Sequence, residues 1–240
     1  MNADKTECMI LSSRGTKHHY NTVKISINGK QLENKEKAKI LGVTVTSDLS
    51  WDDHTNNVIN NMKYTFRGFN RSCIYLKEDT RKLLYNAAIA SRLNYCDTIW
   101  DNCGVRNKNR LQTIQNRCAR RIKGAKPGTS AQPIIRNLGW LNLEQKRKLH
   151  KCVLMKKIFH GEGPSKLKEL FSSYQRERTI TTRQGANNDL SVPSISTDYL
   201  KRSFYYDVTK MWNALPVELR TIERPDTFKG TLHKFLLNYQ

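Results

Sequence analysis

The hydrophobic pattern of this 240-residue chain changes period near Ser50, and that change governs what it can fold into. Before it, Val23-Lys24-Ile25-Ser26-Ile27 alternates apolar and polar residues, as a half-buried strand does. Asn28-Gly29 comes next, a strong short-range signal for a tight hairpin turn. Lys39-Ile40-Leu41-Gly42-Val43-Thr44-Val45 forms another β-rich segment, where Gly42 suggests a bulge or a close backbone approach. Two or three strands bury little apolar surface, so this small antiparallel sheet must lean on the rest of the chain.

After Ser50 the spacing is helical. Ser50-Trp51-Asp52-Asp53 resembles a capping box, and Trp51, Val58, Met62 and Phe66 or Phe69 mark one face of a long helix. A second helix is expected from about Asp79, burying Leu83, Leu84, Ala87, Ala88 and Ser91. A third runs from about Asn107 to Gly124, with Leu111, Ile114, Cys118, Ala119 and Ile122 on its apolar stripe. A short helix near Ser130 to Asn137 and a long one near Asn142 to His160 come next, ended by Gly161-Glu162-Gly163-Pro164. Polar sequence from Ser172 to Ser196 reads as a loop, with a candidate strand at Thr179-Ile180-Thr181-Thr182. Two helices close the chain, one through Phe204, Val208 and Trp212, the other through Phe228, Leu232 and Leu236, with Pro225 in its first turn. The expected fold is mostly α with a small N-terminal antiparallel β-hairpin region, an α+β arrangement dominated by a helical bundle. Residues 1–50 carry the hairpins, 51–171 the bundle, and 172–240 a loop and C-terminal helical segment.

Charge narrows the function. Lys and Arg number 42 against 21 Asp and Glu, a formal +21, and self-repulsion of that size favours a polyanionic partner. Between Asp101 and His150 stand twelve cations and only two acids, Asp101 and Glu144. The candidate nucleic-acid-binding residues are Arg106, Lys108, Arg110, Arg117, Arg120, Arg121, Lys123, Lys126, Lys146, Arg147 and Lys148; Arg136 shares the segment. The cationic helices from about 106 to 157 are expected to form one continuous cradle for sugar-phosphate chains. Tyr64, Phe66 and Tyr75 are candidates for stacking on bases, against the plainer alternative that they belong to the core.

Other classes find less support. No apolar run approaches the length of a membrane span, and Met1-Asn2-Ala3-Asp4-Lys5 shows no signal pattern. A soluble, intracellular protein of cytoplasm or nucleus, without a membrane partner, is expected. Six cysteines lie scattered without a CxxC pair, which reads as reduced thiols rather than a zinc module, and His18-His19 reads as loop. There is no P-loop, no G-x-S-x-G and no H-E-x-x-H, and Asp52-Asp53 is better explained by helix capping than by a metal pair. No complete catalytic set and no metal site are expected.

Several segments resemble a known family. Asn2-Ala3-Asp4-Lys5-Thr6-Glu7-Cys8-Met9-Ile10 resembles the stretch after the catalytic Asp-Asp motif of LINE-type (non-LTR) retrotransposon reverse transcriptases. Leu41-Gly42-Val43 through Asp48-Leu49-Ser50-Trp51 and His54 is similar to the primer-grip hairpin leading into the thumb. Arg92-Leu93-Asn94-Tyr95-Cys96, Leu111-Gln112-Thr113-Ile114-Gln115-Asn116, Leu138-Gly139-Trp140-Leu141 and Ser203-Phe204-Tyr205 through Trp212-Asn213-Ala214-Leu215-Pro216 are similar to thumb and C-terminal features of jockey- and CR1-like elements. The resemblance implies a fragment of an RNA-directed DNA polymerase: the end of the palm, the primer grip, a thumb-like bundle and a C-terminal region. It implies that Leu41, Gly42 and Val43 seat a primer terminus, and that Lys5 is the remnant of a general acid. RNA or RNA–DNA template–primer is the implied partner, with the upstream polymerase portion as a second. Because Met1 falls after the family's metal-binding aspartates, the chain alone is expected to be inactive, Mg²⁺ belonging only to an intact parent enzyme. The alternative expectation is a host-recruited helical module that binds another protein and keeps residual basic charge.

Overall fold

The computed structural model describes residues 6–12, 24–176, 190, 192, 194 and 197–238. Two short hairpins open the chain: β1 (Ser26–Ile27) with β2 (Lys30–Gln31), and β3 (Lys37–Ile40) with β4 (Val43–Thr46), each an antiparallel pair of its own rather than one sheet. Asn28 and Gly29 both take positive φ, 51° and 77°, as a tight two-residue turn demands. The Lys39–Val45 stretch is not a single strand. It turns back at Leu41 and Gly42, whose φ angles are 47° and 84°, so Gly42 serves a turn rather than a bulge. The candidate strand at Thr179–Thr182, His18-His19 and Lys5 lie outside the described residues.

Helices come next in the order α1 (Asp52–Ser72), α2 (Glu78–Tyr85), α3 (Ser91–Asn94), α4 (Asp97–Trp100), α5 (Val105–Lys123), α6 (Ala131–Asn137), α7 (Leu143–His160), α8 (Ser165–Arg176), α9 (Asp198–Lys201), α10 (Phe204–Asn213), α11 (Val217–Arg220) and α12 (Pro225–Asn238). The protein is mostly α with a small β region, as the sequence predicts. The α1 N-cap is Trp51, not Ser50, and its own side chain makes no capping bond, although the Ser50 hydroxyl accepts from the Asp52 N–H at 3.4 Å. Ser50 is held in the preceding turn, its N–H donating to Asp48 and its carbonyl accepting from the Thr46 hydroxyl. The first-turn carboxylates reach elsewhere: Asp52 accepts from Asn107 Nδ2 at 2.6 Å, and Asp53 pairs with Lys37 at 2.7 Å. At α7, by contrast, Asn142 and Gln145 form a full capping box, and Gly161 ends the helix in the left-handed conformation.

The second helix turns inward a face that only partly matches the one expected: Leu84 and Ala88 do pack, half-buried, against the core. Leu83 is exposed, as are Ala87 and Ser91, while Tyr85, Ile89, Ala90 and Leu93 are buried. A single π turn, Asn86–Ala90, joins α2 to α3 and shifts the helical phase from there on. Tyr85 decides the facing: its ring stacks on Trp140, centroids 4.2 Å apart and planes 19° from parallel.

Two cores result. Ile59, Met62, Phe69, Leu93, Trp100, Leu111, Cys118 and Ile122 anchor the first, from α1 through α5. Leu149, Cys152, Met155 and Ile158 of α7 pack with Val208, Trp212, Phe228 and Leu232 in the second. Each such buried side chain contributes roughly 1.5–3 kcal/mol. Packing therefore changes at the start of α7 rather than near residue 171, and the C-terminal helices are a partner of α7 rather than an appendage. Cys73, Cys103, Cys118 and Cys152 are buried free thiols, in keeping with the sequence reading of them. No described helix is long and apolar enough to cross a membrane.

A buried charge cluster joins the cores. Asp101 accepts from Arg147 Nη1 at 3.1 Å and from Lys151 Nζ at 2.6 Å, and Lys151 also pairs with Asp207 of α10 at 2.5 Å. The Arg147 guanidinium lies over the Trp100 ring, 4.4 Å from its centroid.

Candidate nucleic-acid interface

Helices α1 and α5 lie side by side and run in the same direction. Their bonds climb in step: Asp52 with Asn107, Asn56 Oδ1 with Arg110 Nη1 at 2.7 Å, and the Asn70 carbonyl with Arg121 Nη2 at 2.9 Å. Neither helix carries an acid beyond its start, because no Asp or Glu occurs between Asp53 and Glu78 or between Asp101 and Glu144. With 3.6 residues per turn, Lys63 and Arg67 of α1 fall in phase with Asn56 and Asn70. Arg106 and Arg117 of α5 fall in phase with Arg110 and Arg121. The two helices thus meet along a seam whose outer rim is cationic.

Within this seam the arginines differ in kind. Arg110 is fixed by Asn56 and by Asn107 Oδ1 at 3.0 Å, and Arg121 grips the Asn70 carbonyl with both Nε and Nη2. Arg106 and Arg117 are exposed, and Arg67 lies 5.8 Å from the centre of the exposed Tyr64 ring. Held and exposed cations alternate along α5, an arrangement suited to successive phosphates.

One end of the seam approaches the β3–β4 hairpin. There a hollow of about 540 Å³ is lined by Gly42, His54, Val58, Asn61, Tyr64, Thr65, Arg92 and Tyr95. Leu41 stands at the hairpin tip, 84% exposed, and Gly42 lies beside it, whereas Val43 is buried, so Val43 supports the turn without facing a ligand. The Tyr95 hydroxyl donates to the Leu41 carbonyl at 2.7 Å, and Arg92 Nη1 donates to Thr65 Oγ1 at 2.7 Å. His54 accepts from the Thr44 N–H at Nδ1, which leaves the proton on Nε2, edge-on to Trp100. Burial lowers its pKa, so it stays neutral at ordinary pH.

No match to a protein family, a curated protein or a solved structure is found.

The remaining candidates do not join the seam. Lys146, Arg147 and Lys148 are consecutive on α7 and so point about 100° apart. Arg147 is 3% exposed and paired inside the molecule, and is no part of a surface. Lys146 lines a separate small hollow with Tyr85, Gln115 and His233, where burial lowers its pKa. Lys148 is half-buried. Lys123 pairs with Glu78 at 2.8 Å, and with Lys82 it holds that carboxyl below its usual range. Lys126 is exposed in the loop after α5. Lys108 and Arg120 sit on the opposite flank of α5, where they line another groove. The expected single cradle from 106 to 157 is thus divided by helical phase into a seam, a groove and an interior cluster. Among the proposed stacking residues, Tyr64 and Tyr75 are exposed and Phe66 packs against the first core.

Reading the sequence missed Lys63, Arg67, Arg92 and Tyr95 as site residues. For Lys63 and Arg67 a signal existed: cations four residues apart on a helix with no acid beyond its start. For Arg92 and Tyr95 the resemblance of residues 92–96 was a signal, but the pairing of Tyr95 with Leu41 left none, since the two are 54 residues apart in the chain. Among the described residues, no three His, Cys, Asp or Glu side chains cluster as metal ligands.

Proposed function

We propose that this chain binds nucleic acid, and that its partner is the template–primer duplex of a non-LTR reverse transcriptase, of which it forms the end of the palm, the primer grip and the thumb-like bundle. The observation that carries the reading is the seam of α1 and α5, which holds no acid beyond Asp52 and Asp53 at its start, with Lys63, Arg67, Arg106 and Arg117 along its rim and Arg110 and Arg121 fixed in its wall. The hairpin tip at Leu41–Gly42 stands over a hollow rimmed by Tyr64, Arg92 and Tyr95, which supports a role in seating a strand end. No polymerase activity is proposed for this chain by itself. Binding to an RNA–DNA hybrid should weaken with salt, log affinity falling by about 0.9 per neutralised phosphate for each unit of log salt. A filter-binding titration tests this, and an affinity indifferent to ionic strength would remove the reading.

A second reading, a host-recruited module that binds another protein, is favoured by one observation. Ile74, Tyr75 and Leu83, on and beside the α1–α2 connection, are all largely exposed. Purification of a protein partner whose retention survives nuclease treatment but not Tyr75→Ser/Leu83→Ser would favour it.

A further inference from the structure

Both flanks of α5 carry cations, and only one of them belongs to the seam. On the other, Lys108, Gln112, Asn116 and Arg120 repeat every four residues and so stand in a row. This row spans roughly 18 Å at 1.5 Å per residue. It forms one wall of a groove of about 410 Å³, closed by the starts of α6 and α7. A second hollow of about 380 Å³ continues it along α6, sharing Ser130 and Gln132 and reaching Arg136.

The lining is chemically uneven in an informative way. Cations stand at the ends of the row and amides in its middle, with Glu144 the one acid on the lining and no aromatic ring. The Thr129 carbonyl holds Arg120 through Nε at 2.5 Å, and no bond to its Nη groups is seen among the described residues. Gln112 is locked by the Leu143 N–H at 2.9 Å and in turn donates to Asn116 Oδ1 at 2.8 Å, which orients the Asn116 amide and leaves its Nδ2 without a protein acceptor among the described residues. Beneath them Arg147 is met by Asp101 at 3.1 Å and adds no free charge to the floor, so the cations that face the groove are Lys108 and Arg120.

We infer that this groove takes a single-stranded polynucleotide, with phosphates at Lys108 and Arg120 and sugar or base edges against the amides between. Its volume accommodates single nucleotides rather than a duplex, and without an aromatic platform it gives little base preference. The inference builds on the proposed duplex at the α1–α5 seam: α5 would then separate a duplex on one flank from an unpaired strand on the other.

The test uses the full chain and fluorescence anisotropy with two probes, a blunt RNA–DNA hybrid and the same hybrid carrying a single-stranded RNA overhang. The native chain should prefer the overhang probe by about tenfold, the equivalent of roughly 1.4 kcal/mol. Lys108→Gln/Arg120→Gln should abolish that preference and leave blunt-hybrid affinity unchanged. Asn116→Asp, which keeps the acceptor for Gln112 and does not touch the Lys108 pairing with Asp101, should do the same with an unaltered circular dichroism spectrum. Retention of the preference in both variants, or its absence in the native chain, would overturn the groove even where blunt-hybrid binding persists. Single-stranded RNA bound through Lys108 and Arg120, with no affinity for the blunt hybrid, would uphold the groove and sink the seam.

Discussion

Tyr95 holds the Leu41 carbonyl from across 54 residues of sequence, with a hydroxyl-to-oxygen distance of 2.7 Å. That bond fastens the tip of the β3–β4 hairpin to the end of α3, and Leu41 needs the fastening because it adopts a φ of 47° that side chains other than glycine, asparagine and aspartate seldom take.

Tyr95→Phe should therefore cost about 1 kcal/mol in unfolding free energy, the worth of one neutral hydrogen bond. It should weaken hybrid binding several-fold if the tip seats a strand end. Urea denaturation and anisotropy on the same preparation separate the two effects, and a binding loss without a stability loss would count against the fastening role.

Leu41→Gly should raise stability by up to about 1 kcal/mol, since glycine takes the left-handed conformation without penalty. The same change strips the exposed side chain from the hairpin tip, so hybrid affinity should fall while the melting temperature rises. Parallel loss of both would show that Leu41 packs more than it presents.

Reversing Arg117→Glu should reduce affinity for every hybrid sequence alike, because phosphate contacts carry no sequence information. The slope of log affinity against log salt should shrink by about 0.9 for the lost contact. Arg117 is exposed and no bond to it is seen among the described residues, so stability should stay within about 0.5 kcal/mol of the parent. An unchanged salt slope would exclude Arg117 from the interface.

Lys151→Met leaves Asp101 and Asp207 short of a partner and should destabilise the fold by about 3–5 kcal/mol. Arg147→Met should act similarly through Asp101 and through the loss of its contact with Trp100. If chemical denaturation finds either variant as stable as the parent, the cluster is not what joins the two cores.

The same cluster sets a pH window. Burial opposes ionisation of Asp101, but Lys151, Lys108 and Arg147 outweigh it and hold the carboxyl below its ordinary pKa. Its contribution is present above the unfolded value of about 4 and is lost as pH falls through the lower folded value. Burial likewise opposes the charged form of Lys151, yet Asp101 and Asp207 hold its pKa above the ordinary value. That contribution is complete below about pH 10 and is lost as pH rises through the raised folded value. Melting temperature against pH should show a plateau with an acid and an alkaline shoulder, and Asp101→Asn should flatten both.

The helices were legible because their signals are local: the apolar stripe of α5, Gly124 and Gly161 as stops, Pro225 at the first turn of α12. The inward face of α2 was not, since apolar residues occupy nearly every position from Leu83 to Ala90 and only the distant Trp140 selects Tyr85. The cationic site was legible as composition but not as geometry. Sequence shows Arg110, Arg121, Lys108 and Arg120 on one helix, while α1 and α6 decide which pairs share a surface. Arg147 shows the limit best, because a residue surrounded by lysines in sequence turns inward to an aspartate 46 positions away.

The joint between the cores also predicts how this chain tolerates drift. Asp101, Arg147, Lys151 and Asp207 form a set of charges, with Lys108 at its edge 3.7 Å from Asp101, whose pairing any single replacement breaks, so related chains should retain all four or exchange them together. Wherever one is lost alone, a compensating change should be found among the other three, a correlation readable from genomes without purifying any protein.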